Sequence, residues 1–372
     1  MKQNYRKLGD YIQPVDVRNS DLKVSRLLGL SIEKCFIESI ANTIGTDFRP
    51  YKIVKKGQFA YGPVTSRNGD KITIALLEEP ECIISSSYAV FEITDTSKLL
   101  PEYLMLWFSR PEFDRYARFK SHGSVREIFD WDEMRRVELP VPDLTEQQRI
   151  VNAYNTVDRR IRLLQQINEK LSDFLSLFYN KINANTELDT KSCFLEEIVV
   201  NKRENIKIDK IAKNAIYVGL EHIPRKNLVL NNYGNMENVL SDKIKAEKND
   251  IIFGKIRPYF HKVSVIPYNT VYCSGDALVF NSKNDDLYGF VVLTLFSNQF
   301  IDFAVKLSNG AKMPRAEWKD LKRFEIKLPN RDTLKHVNKV VREFLSKMFE
   351  NQKEIEKLQT LKQLIISRIS SR

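Results

Sequence analysis

Apolar residues recur along this chain at two different periods. Between residues 150 and 182 they step by four and three: Ile150, Tyr154, Val157, Ile161, Leu164, Asn168, Leu171, Leu175, Phe178, Ile182. A second series repeats the same steps through Val337, Val341, Phe344, Met348, Asn351, Ile355, Leu358, Lys362, Ile365 and Ile369. A sustained 3.5-residue repeat predicts a coiled-coil seam, so the two stripes are expected to bury each other. Asp143 or Thr145 can cap the first helix, with Glu146 or Gln148 three residues on as a capping box. At 1.5 Å per residue each rod would span roughly 50–55 Å. Elsewhere the period shortens. Strand-like runs such as Lys71-Ile-Thr-Ile-Ala75 alternate with short helical stretches such as 101–119, punctuated by Gly62-Pro63, Asn68-Gly69-Asp70 and Glu79-Pro80.

The pattern occurs twice. Residues 101–182 overlay residues 288–369 at a constant offset of 187 without a gap. Phe113, Ser121, Gly123, Trp131, Arg136, Glu138 and Pro142 return as Phe300, Ser308, Gly310, Trp318, Arg323, Glu325 and Pro329. Upstream the offset drifts to 190–192: Gly29-Leu30 becomes Gly219-Leu220, and Tyr61-Gly62 becomes Phe253-Gly254. The expected fold class is therefore α/β (α+β), a pseudo-twofold internal repeat of two similar domains. Each folded part, Leu8 to about Asp143 and about Phe194 to Asn330, is followed by one long helix. The expected boundaries are 1–143, 144–182, 183–330 and 331–372. Each seam holds one asparagine, and the two are not equivalent under the repeat: Asn168 maps to Ile355, and Asn351 to Leu164. If the helices run antiparallel with Ile150 beside Ile369, Asn168 falls beside Asn351, because both pairs of residue numbers add to 519. A polar pair in an apolar seam would then specify the register.

Composition narrows the function classes. The formal charge of +11 favours a polyanionic partner. The longest apolar run, Tyr288 to Phe296, is too short to cross a bilayer as a helix, and the N-terminus lacks an apolar signal core. We expect a soluble, cytoplasmic protein. Cys35, Cys82, Cys193 and Cys273 form no C-x-x-C pair, so buried reduced thiols are expected and no metal site.

No catalytic constellation stands out. The chain lacks a G-x-x-x-x-G-K-[ST] loop, a G-x-G-x-x-G turn, H-E-x-x-H, G-x-S-x-G and the Asn/Asp-Pro-Pro-aromatic motif of amino methylation. Glu325-Ile326-Lys327 has the E-x-K look of a metal nuclease, but its alternation reads as a half-exposed strand. Four loops, in two repeat-related pairs, suit a nucleic acid instead. Phe253 to Lys262 offers Lys255, Arg257, Tyr259, His261 and Lys262; its counterpart, Tyr61 to Asn68, offers Arg67. His122 to Arg126 offers His122, Ser124 and Arg126, and its twin offers Lys312 and Arg315. Cations interleaved with aromatics grip phosphates and present guanidinium groups to guanine edges. Gly123 and Gly310 would let the backbone approach a partner closely.

Leu139-Pro-Val-Pro-Asp-Leu-Thr-Glu-Gln-Gln-Arg149, Phe253-Gly-Lys-Ile-Arg-Pro-Tyr259 and the Gly-to-Trp stretches 123–131 and 310–318 carry a resemblance. On them the chain resembles the specificity subunits of type I restriction–modification systems over essentially its whole length. That resemblance implies two target-recognition domains, each reading half of a split, asymmetric DNA sequence, with an antiparallel helical spacer between them. It implies two docked methyltransferase subunits that hold S-adenosylmethionine, restriction–translocase subunits beyond them, and no cofactor or catalysis on this chain. Glu146 and Gln147 are then candidates for partner docking. The second lead-in, Leu328-Pro-Asn-Arg-Asp-Thr-Leu-Lys335, departs by placing Thr333 and Leu334 at those positions. The alternatives are a basic coiled-coil DNA-binding or assembly protein without a methyltransferase partner, and a cryptic metal-dependent nuclease.

Overall fold

The computed structural model describes residues 5–39, 43–66, 68–123, 126–185, 191–308, 310 and 312–369. The chain forms two units: 1–159 with 358–372, and 160–357. In the first, an antiparallel sheet runs in the order Ile12–Val15, Ala89–Ile93, Phe59–Tyr61, Ile74–Leu76. In the second, Val199–Lys202, Ala277–Ser282, Ile251–Gly254 and Val263–Val265 take the same order. The inner strands Phe59–Tyr61 and Ile251–Gly254 are buried on both faces, which is why they read as continuous apolar runs. Phe59, Tyr61 and Phe91 face one core while the intervening Ala60 and Val90 face another. Ile251, Phe253 and Phe280 in the second unit likewise alternate with Ile252 and Val279. Each sheet backs onto a helix pair, Pro101–Phe108 with Pro111–Lys120 and Tyr288–Phe296 with Asn298–Leu307. Glu325–Leu328 is a strand paired with Lys191–Phe194, and its alternate burial matches a half-exposed strand.

The long helices are Leu144–Asn185 and Arg331–Arg368, longer than the seam alone predicts at about 63 and 57 Å. Each starts at the same repeat position. The Asp143 carboxylate accepts from Glu146 N–H at 2.9 Å, and the Asn330 amide oxygen from Thr333 N–H at 2.9 Å. The expected seam is buried at Val157, Ile161, Leu164, Leu175, Val337, Val341, Met348 and Ile355. Next to it lies a second buried stripe: Val151, Ser172 and Tyr179 on one helix, and Leu345, Gln352 and Ile366 on the other. These side chains stand one position after seam residues. The helices thus pack on each other and on their units at once. Val151 and Ile369 join the core of the first unit; Leu175, Tyr179, Val337, Val341, Leu345 and Met348 join that of the second.

Polar groups punctuate the antiparallel packing. In the first unit Lys362, a seam position, pairs with Asp158 and lies 4.8 Å from the Tyr154 ring centroid. In the second, Asn351 Nδ2 donates to Asn168 Oδ1 at 2.8 Å, with the residues 2% and 3% exposed. The Asn168 amide also reaches the Met348 carbonyl at 3.4 Å. Ser172 extends the network, donating to the Asn168 carbonyl and accepting from Leu228 N–H at 3.1 Å.

Cys82, Cys193 and Cys273 are buried free thiols, whereas Cys35 is exposed, against expectation, because it lies in the turn that leads into the strand Phe36–Glu38 of a two-stranded ribbon. Among the described residues no single helix is long and apolar enough to cross a membrane.

Replacing Asn168 alone with leucine strands a buried amide and should cost about 1–3 kcal/mol. Replacing both Asn168 and Asn351 with leucine should recover most of that loss. Denaturant unfolding of the two single variants and the double variant measures it; a double variant as unstable as the two losses summed would show that the amides do not act as a pair.

Candidate nucleic-acid interface

In each unit the structure joins the two loops singled out from sequence. In the first, Val64 bridges Ile128; Phe129 N–H donates to the Pro63 carbonyl at 2.8 Å and Thr65 N–H to the Glu127 carbonyl at 3.0 Å. In the second, Ile256 bridges Arg315; Ala316 N–H donates to the Lys255 carbonyl at 2.9 Å and Arg257 N–H to the Pro314 carbonyl at 2.7 Å. Each residue of one set is the repeat partner of its counterpart. The loop pair is therefore one backbone device built twice.

Its glycines serve that device. Gly123 has φ of 134° and Gly310 φ of 111°, conformations that disfavour a Cβ. A Cβ at Gly123 would collide with the Arg126 carbonyl, and one at Gly310 would come 3.0 Å from the Met313 carbonyl. Arg126 and Met313 are themselves repeat partners. The expectation that these glycines open the backbone to a partner is corrected: they let the loop close on itself.

The side chains on the shared backbone differ. At the position of exposed Arg257 the first unit has Thr65, which is 1% exposed and shares a hydrogen bond with Ser121 Oγ at 2.8 Å. Ile128 stands in place of Arg315, and Arg126, which is exposed, in place of Met313. Arg315 donates to Asp276 at 3.0 Å, and Arg257 reaches the Lys312 carbonyl at 3.4 Å. In the first unit the corresponding loop carries an Arg118–Glu127 ion pair. Lys312 and His122 are also exposed.

Around Pro258–Phe260 the second unit holds a strained turn. Arg257 and His261 have φ of 52° and 50°, a left-handed conformation that costs a residue bearing Cβ roughly 1–2 kcal/mol. Packing holds both ends. His261 is 5% exposed, its Nε2 is 2.8 Å from the Phe296 carbonyl, and its own carbonyl accepts from Lys226 N–H at 3.0 Å. Burial keeps its pKa below the ordinary histidine range. The assignment of His261 to DNA is therefore withdrawn; it anchors the turn from inside. Lys262 is half-buried with its ammonium on the Leu220 carbonyl, which commits it to the unit as well. Tyr259 projects from the turn at 52% exposure, edge-on to Phe260, whose ring carries the Arg225 guanidinium 3.9 Å from its centroid. Arg67 and Ser124 lie outside the described residues.

The docking candidates separate. Glu146 pairs with Arg149 at 2.6 Å on the surface. Gln147 is 0% exposed; its oxygen accepts from Leu100 N–H at 2.8 Å, and its nitrogen donates to the Lys98 and Pro142 carbonyls at 2.9 and 2.8 Å. A fully bonded, buried amide cannot meet a partner, so Gln147 is corrected to an internal clamp between helix and domain. The second unit makes the equivalent tie from another position. Asn338 accepts from Gly289 N–H at 3.0 Å and donates to the Asp285 carbonyl at 2.9 Å. The tie is thus retained although Leu334 stands at the position of Gln147.

Sequence reading missed Asp276 and Arg225. Asp276 sits in the turn Ser274-Gly275-Asp276, and Arg225 far from the loop it buttresses; neither has a local signal.

Comparison with known proteins places the chain. The family model of the type I restriction modification DNA specificity domain matches residues 40–173 and 187–365. The specificity subunit of type I restriction enzyme EcoDI from Escherichia coli is 28% identical over 121 residues, 31% of this chain and 26% of that protein. That of HindI from Haemophilus influenzae is 25% identical over 130 residues, 34% of this chain and 28% of that protein. These alignments span only about a quarter of the curated relatives' length. The crystal structure of a type I restriction–modification S subunit from M. genitalium shares the fold at a TM-score of 0.56 and 14% identity, covering 98% of this chain and 95% of that one. With both repeats matched by the family model, the chain belongs to the type I restriction modification DNA specificity domain family.

Proposed function

We propose that this chain is the specificity subunit of a type I restriction–modification complex in the cytoplasm. Each unit reads one half of a bipartite, asymmetric target in double-stranded DNA through its loop pair. The observation that carries this reading is the loop pair itself: the same three backbone contacts in both units, with different side chains mounted on them. A constant scaffold with exchanged cations suits two readers of unlike sequences. Arg257, Arg315, Lys312 and Tyr259 serve one half-site; Arg126 and His122, with Arg67 and Ser124, serve the other. Lys255 stands at the edge of the first of these sets.

Two methyltransferase subunits, carrying S-adenosylmethionine, and restriction–translocase subunits supply the chemistry, and this chain catalyses none of it. Exposed Leu163, Ile167, Phe174 and Leu177 on the second unit's part of the first long helix offer a docking face, and Glu146 is a separate candidate contact in the first unit. Asn168 and Asn351 set the register of the helix pair, and thereby the number of unread base pairs. Centre-to-centre spacing of the half-sites would be near one helical turn, ~10 bp.

The test is selection of bound duplexes from a randomised library with the full chain and its partners. Arg257→Ala or Arg315→Ala should relax one half-site, and Arg126→Ala the other, with discrimination at the affected base falling by about 1–3 kcal/mol. Equal weakening on every sequence would mean these groups touch phosphate alone.

Removing one heptad from each long helix should change the preferred spacer between half-sites in the same selection. An unchanged spacer would show that helix length is not the ruler.

A further inference from the structure

Beside the second unit's loop pair lies an open cavity of about 590 Å³, lined by Asn201, Lys202, Arg203, Lys255, Glu317 and Lys319 among others. Lys255 belongs to both: its carbonyl accepts from Ala316 N–H within the loop pair while it walls the cavity. Four cations face a single carboxylate. Lys202 is neutralised by Asp250, which is 0% exposed and 2.8 Å away. Arg203, Lys255 and Lys319 have no ion pair among the described residues. Asn201 adds an independent observation. Its Nδ2 is buried and has no hydrogen-bond partner among them. A buried donor without an acceptor is costly unless a ligand supplies one.

The first unit provides an internal control. Strand register, which sets Pro14 opposite Phe91 as Asn201 is opposite Phe280, and the repeat together place Pro14, Val15, Asp16, Pro63, Asp130 and Asp132 at the positions of Asn201, Lys202, Arg203, Lys255, Glu317 and Lys319. All four cations are lost and two of them become aspartates, and the amide becomes proline. Asp16 is engaged by Arg18 and Lys52. Asp132 is likewise paired with Arg135, so these positions in the first unit hold no cation, and the cavity's basic character belongs to the second unit's side chains.

We infer that this cavity is a phosphate-binding site for the DNA backbone flanking the second unit's half-site, with Arg203, Lys255 and Lys319 supplying charge and Asn201 a hydrogen bond. The inference rests on the DNA-binding reading above. It adds that phosphate grip is unequal between the two units.

The experiment measures affinity of the full chain, with its partners, for a target duplex and an unrelated duplex between 50 and 200 mM salt. The double variant Arg203→Ala/Lys319→Ala should lose affinity by the same factor on both duplexes. It should also flatten the slope of log affinity against log salt by about 0.9 per lost phosphate contact. Asn201→Leu should weaken binding to both duplexes without lowering the thermal midpoint. Asp16→Ala/Asp132→Ala should not steepen the slope beyond the change expected of two removed surface charges. Wild-type affinity and slope in the double variant would overturn the inference. So would a loss confined to the target duplex, which would make these groups base readers. Inorganic phosphate and adenosine monophosphate form the remaining arms. Competition no greater than their ionic strength explains supports the backbone; saturable displacement of DNA at constant ionic strength would assign the cavity to a free phosphate ligand and overturn the proposal. If the wild-type chain shows no preference between duplexes, the specificity reading fails, while the salt slope still tests the cavity.

Discussion

Each long helix must bury two stripes at once, and that constraint shapes the rest of the structure. One stripe meets the other helix and joins the cores at Leu175, Val337, Val341, Met348 and Ile369; the second, one residue further on, adds Val151, Tyr179 and Leu345 to them. A helix pair held only by its seam could slide by a heptad with little change in buried area. A helix whose second stripe is keyed into a domain cannot. The polar positions reinforce this. A stagger of Asn168 from Asn351 would leave two amides in an apolar seam, and Ser172 carries the same network to Leu228.

The ends of the helices are fixed by comparable means with different residues. The caps Asp143 and Asn330 are repeat partners, but the side chains tying each helix to its domain, Gln147 and Asn338, are not. The two copies have kept a requirement and changed the residue that meets it. The loop pairs show the converse. There the backbone contacts are retained position by position, while Arg257, Arg315 and Met313 stand where the other copy has Thr65, Ile128 and Arg126. Mechanical positions tolerate substitution when the bond is remade nearby. The exposed loop positions vary, as the proposed reading of unlike half-sites requires. The cations lining the second unit's cavity, absent at the matching positions of the first, extend the same divergence of side chains on a shared scaffold.

Much of this architecture is legible in the sequence because it is periodic. The seam, the repeat and the caps follow from spacing, and so does the opposition of residues 168 and 351, since antiparallel register is arithmetic. The second stripe was less visible: Val151, Ser172 and Tyr179 are chemically mixed and fall next to stronger seam residues. Site residues were harder still. His261 and Lys262 look like phosphate ligands in a run of cations and aromatics, yet a left-handed turn directs one inward and burial commits the other to a carbonyl. Gln147 lies in a motif that invites a partner but spends all its hydrogen bonds at home. Asp276, Arg225 and Arg203 become relevant only when distant segments meet. Composition reports that a side chain is charged, whereas tertiary structure decides which way it faces.

The central claim is that two copies of one scaffold read two different sequences. Selection of bound duplexes from a randomised library by the wild-type complex tests it most directly. The account expects two short, unlike motifs separated by a fixed number of unselected base pairs. A single continuous motif, or two halves related by perfect inverted symmetry, would contradict it.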